Sequence, residues 1–81
     1  MDIAEIRSTV LASLKAIAPE VDAAALRNDQ LLRAQVDLDS MDWLNVILGL
    51  HEKLKVDIPE ADYGRLNTLD ALVAYLAEKL R

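Results

Sequence analysis

Ile3, Ile6, Val10, Leu14 and Ile17 recur at spacings of 3, 4, 4 and 3, the period at which side chains share one face of an α-helix. Asp2 stands where it can accept the orphan backbone N–H of Glu5, with the Glu5 side chain reaching back as in a capping box. Pro19 closes the run, because a proline pushes the residue before it out of the α region and the helix must stop near Ala18. The same period returns at the far end of the chain. There Leu69, Leu72, Val73, Leu76 and Leu80 form a stripe behind Thr68, a good N-cap, with Lys79 and Arg81 at the negative end of the helix dipole. A third run, from about Ser40 to Leu54, carries Met41, Trp43, Leu44, Val46, Ile47, Leu48, Leu50 and Leu54 and is apolar on more than one side. A helix packed on one core needs a single stripe, so the second apolar face implies either central burial or a face kept for a ligand or partner.

Between these runs the chain is less regular. From Pro19 to Asp39 there is no sustained period, only a possible helical turn at Asp22 to Leu26 and apolar anchors at Leu26, Leu31, Leu32 and Val36. A connection of this length is uncommon in a compact domain and is expected to be functional or pinned by its own side chains. It has no Gly or Ser enrichment and does not read as a flexible linker. Pro59 marks another start, as a first helical residue followed by Glu60 and Asp62, and Gly64 keeps that segment short. The expectation is an all-α fold: one domain over residues 1–81, a small four-helix bundle of three long helices and one short one, with a long loop between the first two. With 53% hydrophobic residues but only Trp43, Tyr63 and Tyr75 as aromatics, the core must be built from Leu, Ile, Val and Ala. A domain of this size buries about 60–65% of its unfolded surface, so a modest stability of ~5 kcal/mol is expected.

Charge and residue inventory exclude several functions. Nine Lys and Arg against 14 Asp and Glu give a net charge of −5, with no basic run to meet phosphates, so nucleic acid is not expected as a partner. There is no cysteine for a disulfide, a Cys-based zinc site or a nucleophile. No apolar run reaches the ~18 residues of a transmembrane span, and Met1-Asp2 is not the basic opening of a signal peptide. The chain reads as soluble, cytoplasmic and without a membrane span. Catalysis is disfavoured, because the single His51 sits among Leu50, Glu52 and Lys53 with no nucleophile in reach. Asp37, Asp39 and Asp42 suggest a calcium loop, but counted from Asp37 the sixth and twelfth positions hold Asp42 and Leu48 where an EF-hand needs Gly and Glu. Carboxylates that complement a helix N-terminus are the simpler reading.

Asp39 and Ser40 at a helix start are, alone, ordinary capping residues. In context they say more. Val36-Asp37-Leu38-Asp39-Ser40-Met41-Asp42, the apolar helix after it, Val56-Asp57-Ile58-Pro59-Glu60 and the closing Asn67-Thr68-Leu69 resemble the acyl carrier protein family and its peptidyl carrier relatives over nearly all 81 residues. The resemblance implies that Ser40, flanked by Asp39 and Met41, receives covalent 4′-phosphopantetheine from coenzyme A through a phosphopantetheinyl transferase. The arm would supply the thiol that the chain lacks. The chain would then carry acyl groups as thioesters between loading, transferring and condensing enzymes of fatty-acid, lipid or related biosynthesis, without catalysing anything itself. An attached phosphodiester suits a helix N-terminus, where N–H groups and the dipole favour an anion. The resemblance also implies a partner surface at Asp42, Trp43, Leu44, Leu48 and Glu52, a cargo cavity lined by Val46, Ile47, Leu50, Ile58 and Leu66, and a monomer.

Three departures qualify it. Met41 replaces the usual Leu, a volume-conserving change. Asp37 stands where Gly is common, and Asp tolerates positive φ better than most residues. From Ser40 to Lys55, Asp42 and Glu52 are balanced by Lys53 and Lys55, and Asn45 and His51 occupy positions often acidic in the family. This electrically neutral helix points to dedicated partners met by Met41, Trp43, Leu44 and Leu48 more than by charge. Leu38-Asp39-Ser40-Met41 also looks like the motif of D-alanyl carriers, so an aminoacyl or peptidyl carrier is the alternative. A helical interaction module without a prosthetic group, with Ser40 as a mere cap costing about 1 kcal/mol on truncation, is the reading from another class.

Overall fold

The computed structural model describes residues 2–80, and the expected role of Arg81 at the end of the last helix lies outside them. The described residues form helices α1 (Ile3–Ile17), α2 (Leu32–Gln35), α3 (Ser40–Leu54) and α4 (Leu69–Lys79), with a 3₁₀ helix over Glu60–Arg65 before α4. The fold is all-α, as the periodicity implies. The three long helices carry N-caps read from the sequence: the side chains of Asp2, Asp39 and Thr68 accept from the backbone N–H of Glu5, Asp42 and Ala71, while among the described residues the Glu5 side chain does not complete the capping box. Ahead of Pro19, Ala18 closes α1 by donating its N–H to Leu14 at 2.8 Å.

α1 packs against both α3 and α4. Ile6, Val10 and Leu14 from α1, Val46, Ile47 and Leu50 from α3, and Leu72 and Leu76 from α4 are all but completely excluded from solvent. Leu32 and Leu66 enter the same core from the connecting segments. At about 25 cal/mol per Å² of apolar surface removed from water, this aliphatic core is the main term holding the helices together.

The structure differs from the sequence reading at α2 and at Pro59, and adds detail in two further places. The possible helical turn at Asp22 to Leu26 is a single turn: the Asp22 carboxylate accepts from Ala24 N–H at 3.1 Å and its carbonyl from Ala25 N–H at 3.0 Å. Helix α2 lies inside the stretch read as loop. Four residues are too few to show a period, and its stability comes from burying Leu32, not from local propensity. Pro59 is the residue before the short helix, with extended ψ of 143°, and not its first helical residue. That helix has 3₁₀ geometry and buries no residue of its own, as expected of a short, poorly bonded helix.

The long connection is pinned by its own side chains. Gln35 accepts the Arg27 N–H at 2.6 Å and donates to the carbonyls of Arg27 and Gln30 at 2.9 and 3.1 Å. Asn28 accepts from Arg7 at 2.8 Å and from the Asp70 N–H at 3.0 Å, tying the connection to α1 and α4. Leu32 donates to the Asn67 carbonyl at 2.8 Å, beside an isolated antiparallel bridge between Leu31 and Thr68.

Helix α3 ends at Lys55, whose φ of 57° and ψ of 41° lie in the left-handed region. The His51 carbonyl accepts the Lys55 N–H at 3.0 Å, and His51 Nδ1 donates to the Val56 carbonyl at 2.6 Å. The left-handed region costs an L-residue roughly 1–2 kcal/mol, and glycine is the usual solution at this position. Lys55→Gly should therefore stabilise the fold by about 0.5–1 kcal/mol, read as a rise of about 2–8 °C in melting midpoint.

Tyr75 on α4 anchors the 3₁₀ helix by donating its hydroxyl to Asp62 Oδ2 at 2.7 Å, while Arg65 and Lys79 lie 5.7 and 5.4 Å from its ring centre. Burial, followed by the Asp62 carboxylate, pushes the phenol up from 10.0 to about 12. A folded-state value above the unfolded one stabilises fully below pH 10 and is lost as pH climbs towards 12. Chemical unfolding from pH 9 to 12 should show this loss in the parent, and its absence from Tyr75→Phe separates it from lysine titration in the same range.

Candidate functional site

Ser40 is the first residue of α3, one position inside the cap. Asp39 is the N-cap: its Oδ1 accepts the Asp42 N–H at 2.8 Å and its carbonyl accepts the Trp43 N–H at 2.9 Å. The capping work that the sequence left shared between Asp39 and Ser40 therefore belongs to Asp39. Ser40 is exposed, and among the described residues no hydrogen bond engages its hydroxyl. The backbone N–H groups of Ser40 and Met41 likewise meet no acceptor among the described residues, as expected for the first turn of a helix.

The site is thus an unencumbered hydroxyl at the positive end of a 15-residue helix. Two free N–H groups and the helix dipole favour a phosphodiester on Ser40 Oγ. The carboxylates of Asp37, Asp39 and Asp42 oppose it, but Asp37 and Asp39 are exposed and Asp42 is only half-buried, so solvent weakens the repulsion. On this chemistry the residues fit a covalently attached phosphopantetheine.

Along α3 the apolar residues divide. Trp43, Val46, Ile47, Leu50 and Leu54 face inward, whereas Met41, Leu44 and Leu48 remain 67%, 37% and 46% exposed. This corrects the reading of Trp43 as a surface contact. It is only 8% exposed because it begins the inward stripe continued three, four and seven residues later by Val46, Ile47 and Leu50. Glu52 is exposed on the same helix. Of the residues named for a cargo cavity, Val46, Ile47, Leu50 and Leu66 lie in the core and Ile58 packs half-buried against it. The structure also brings together a set that sequence reasoning did not assemble: Leu31, Arg33, Ala34, Leu38 and Asn67 line one groove, with Leu38 two residues before the serine. Leu31 had been noted as an anchor and Leu38 and Asn67 as motif residues, but nothing in the sequence signals that the three share a groove with Arg33 and Ala34.

Residues 5–76 match the family model for the phosphopantetheine attachment site. The chain is 30% identical over 66 residues to an acyl carrier protein of Campylobacter jejuni subsp. doylei, covering 78% of this chain and 86% of the relative. It is 28% identical over 67 residues to an acyl carrier protein of Helicobacter hepaticus, covering 79% and 88%. A third acyl carrier protein, from Campylobacter jejuni subsp. jejuni, is 30% identical over 56 residues, covering 69% and 73%.

Proposed function

Because the chain belongs to the acyl carrier protein family, whose members are non-catalytic carriers with covalently attached 4′-phosphopantetheine, we propose that Ser40 is the attachment residue. The observation that carries this reading is the free, exposed Ser40 hydroxyl at the start of α3, within Asp39-Ser40-Met41. When bound, the group supplies the thiol on which acyl groups are held as thioesters. The chain's own residues present and orient it: Asp39 fixes the helix start, the first-turn N–H groups offer donors to the phosphodiester, and the packed bundle holds the serine on a rigid end. A phosphopantetheinyl transferase and acyl-handling enzymes are the partners. The test is intact mass before and after incubation with coenzyme A, Mg²⁺ and a broad-specificity transferase. One phosphopantetheine should be gained. No gain by a folded protein with several transferases would sink the assignment.

On this reading residues 1–81 are one monomeric carrier domain serving fatty-acid, lipid or related biosynthesis. Among the described residues no helix is long and apolar enough to cross a membrane. The aminoacyl alternative is favoured by Leu38-Asp39-Ser40-Met41 and by the neutral balance from Ser40 to Lys55. Loading by acyl-activating against amino-acid-activating enzymes separates the two.

Docking follows from the α3 surface. Met41, Leu44 and Leu48 form an exposed apolar stripe beginning beside Ser40, while Asp42 and Glu52 add acidity that Lys53 and Lys55 cancel. Contact through this stripe is set more by apolar burial than by charge. Affinity for a cognate condensing enzyme should change little between low and high salt and fall on Leu48→Asp. Tight binding to a general fatty-acid condensing enzyme that collapses with salt would contradict this view.

A further inference from the structure

Leu31, Arg33, Ala34, Leu38 and Asn67 line an open surface groove of ≈ 500 Å³. Its walls come from the end of the long connection, from α2, from the residues before α3 and from the segment before α4. They are joined by the Leu32–Asn67 hydrogen bond at 2.8 Å and the Leu31–Thr68 bridge, so the groove is a built part of the fold. Leu31 is a large apolar residue left 52% exposed there, and Leu38 forms a buried wall. Among the described residues, no hydrogen bond or ion pair engages the Arg33 guanidinium or the Asn67 side-chain amide.

Leu38 is two residues before Ser40, so their Cα atoms are at most about 7 Å apart. Ser40 is not itself a lining residue, but an arm attached to it starts within that backbone distance of the groove-lining Leu38. An anion there is repelled by Asp37, Asp39 and Asp42, and Arg33 is the cation among the groove-lining residues. Val46, Leu50 and Leu66 are fully buried, so an arm resting among them would have to carry its phosphodiester end and amides into an apolar core.

We infer that this groove is the resting site of the phosphopantetheine arm: Arg33 meets the phosphodiester, Asn67 pairs with an arm amide, and Leu31, Ala34 and Leu38 cover the gem-dimethyl carbon. The inference rests on Ser40 as the attachment residue. It concerns where this chain stores its arm between partners, and it makes Arg33 and Asn67 positioning residues. An arm held in this way is ordered at the carrier surface and released when a partner's own channel competes for it.

The test begins with ¹⁵N,¹³C-labelled protein modified by a transferase and checked by intact mass, followed by NMR of the unmodified and modified forms. Expected are amide shifts at Arg33, Ala34, Leu38 and Asn67, with nuclear Overhauser contacts from the arm methyls to Leu31 and Leu38. Alkylation of the arm thiol by iodoacetamide should be about twofold or more faster in Arg33→Glu and Leu31→Ser than in the parent, the factor set by the fraction of arm held in the groove. Both residues are exposed, and circular dichroism checks that the variants fold. A mass gain with shifts confined to residues 39–48, no methyl contacts and equal alkylation rates overturns the groove and leaves the attachment reading standing. Absence of the mass gain overturns both.

Discussion

Ser40→Ala is expected to abolish the gain of one phosphopantetheine completely while leaving the fold nearly as stable as the parent. On the proposed assignment the Ser40 hydroxyl is the group modified, and alanine has no substitute for it. The stability half of the prediction comes from the cap geometry. Asp39, not Ser40, accepts the Asp42 N–H at 2.8 Å, and Ser40 is exposed without a hydrogen bond among the described residues. Truncating an exposed first-turn serine should change stability by no more than about 0.5 kcal/mol. Asp39→Ala should instead cost about 0.5–2 kcal/mol by stripping the cap, and it should still accept some phosphopantetheine. Intact mass and chemical unfolding on the two variants separate a modified residue from a structural one. A folded Ser40→Ala that still gains mass would overturn the assignment, and one that unfolds readily would overturn the division of capping between Asp39 and Ser40.

The second large effect is at Leu50. It lies in the middle of α3 with no exposed surface, and truncation to alanine should cost about 2–5 kcal/mol from lost burial and the cavity left behind. Against a total of roughly 4–12 kcal/mol for a chain of this length, that is enough to leave a large unfolded fraction. Leu48, two residues earlier on the same helix, is 46% exposed, and its replacement by alanine should stay within about 0.5 kcal/mol. Urea unfolding of the pair checks the division of α3 into a core face and a docking face. A similar cost at both positions would mean that the outward stripe is covered in solution.

The long helices were legible because their cause is local. The 3.6-residue period places Ile6, Val10 and Leu14 on one stripe of α1, and Asp2, Asp39, Thr68 and Pro19 mark boundaries through chemistry confined to one turn. Ser40 is singled out as a candidate by resemblance more than by physics, since Asp-Ser at a helix start is also an ordinary cap. The division of labour between the two was not legible. It depends on whether the helix begins after Asp39 or after Ser40, a shift of one residue that the apolar pattern does not resolve.

Trp43 shows the same limit on α3. With Met41, Leu44 and Leu48 also apolar, the sequence contains two overlapping stripes, and composition alone does not say which faces inward. Burial in the shared core selects Trp43 with Val46, Ile47 and Leu50, leaving Met41, Leu44 and Leu48 exposed. Helix α2 and the groove that Leu38 lines depend on tertiary structure altogether. Leu32 helps order a four-residue helix because it is buried, and Leu31 meets Asn67 only because the pinned connection is drawn against the segment before α4. The sequence by itself determined what is periodic or confined to one turn: the long helices, their ends and the serine at the head of α3. The tertiary structure decided which of two apolar faces is core, which residue caps and which is free, and where a groove forms, because each depends on contacts between residues distant in the chain.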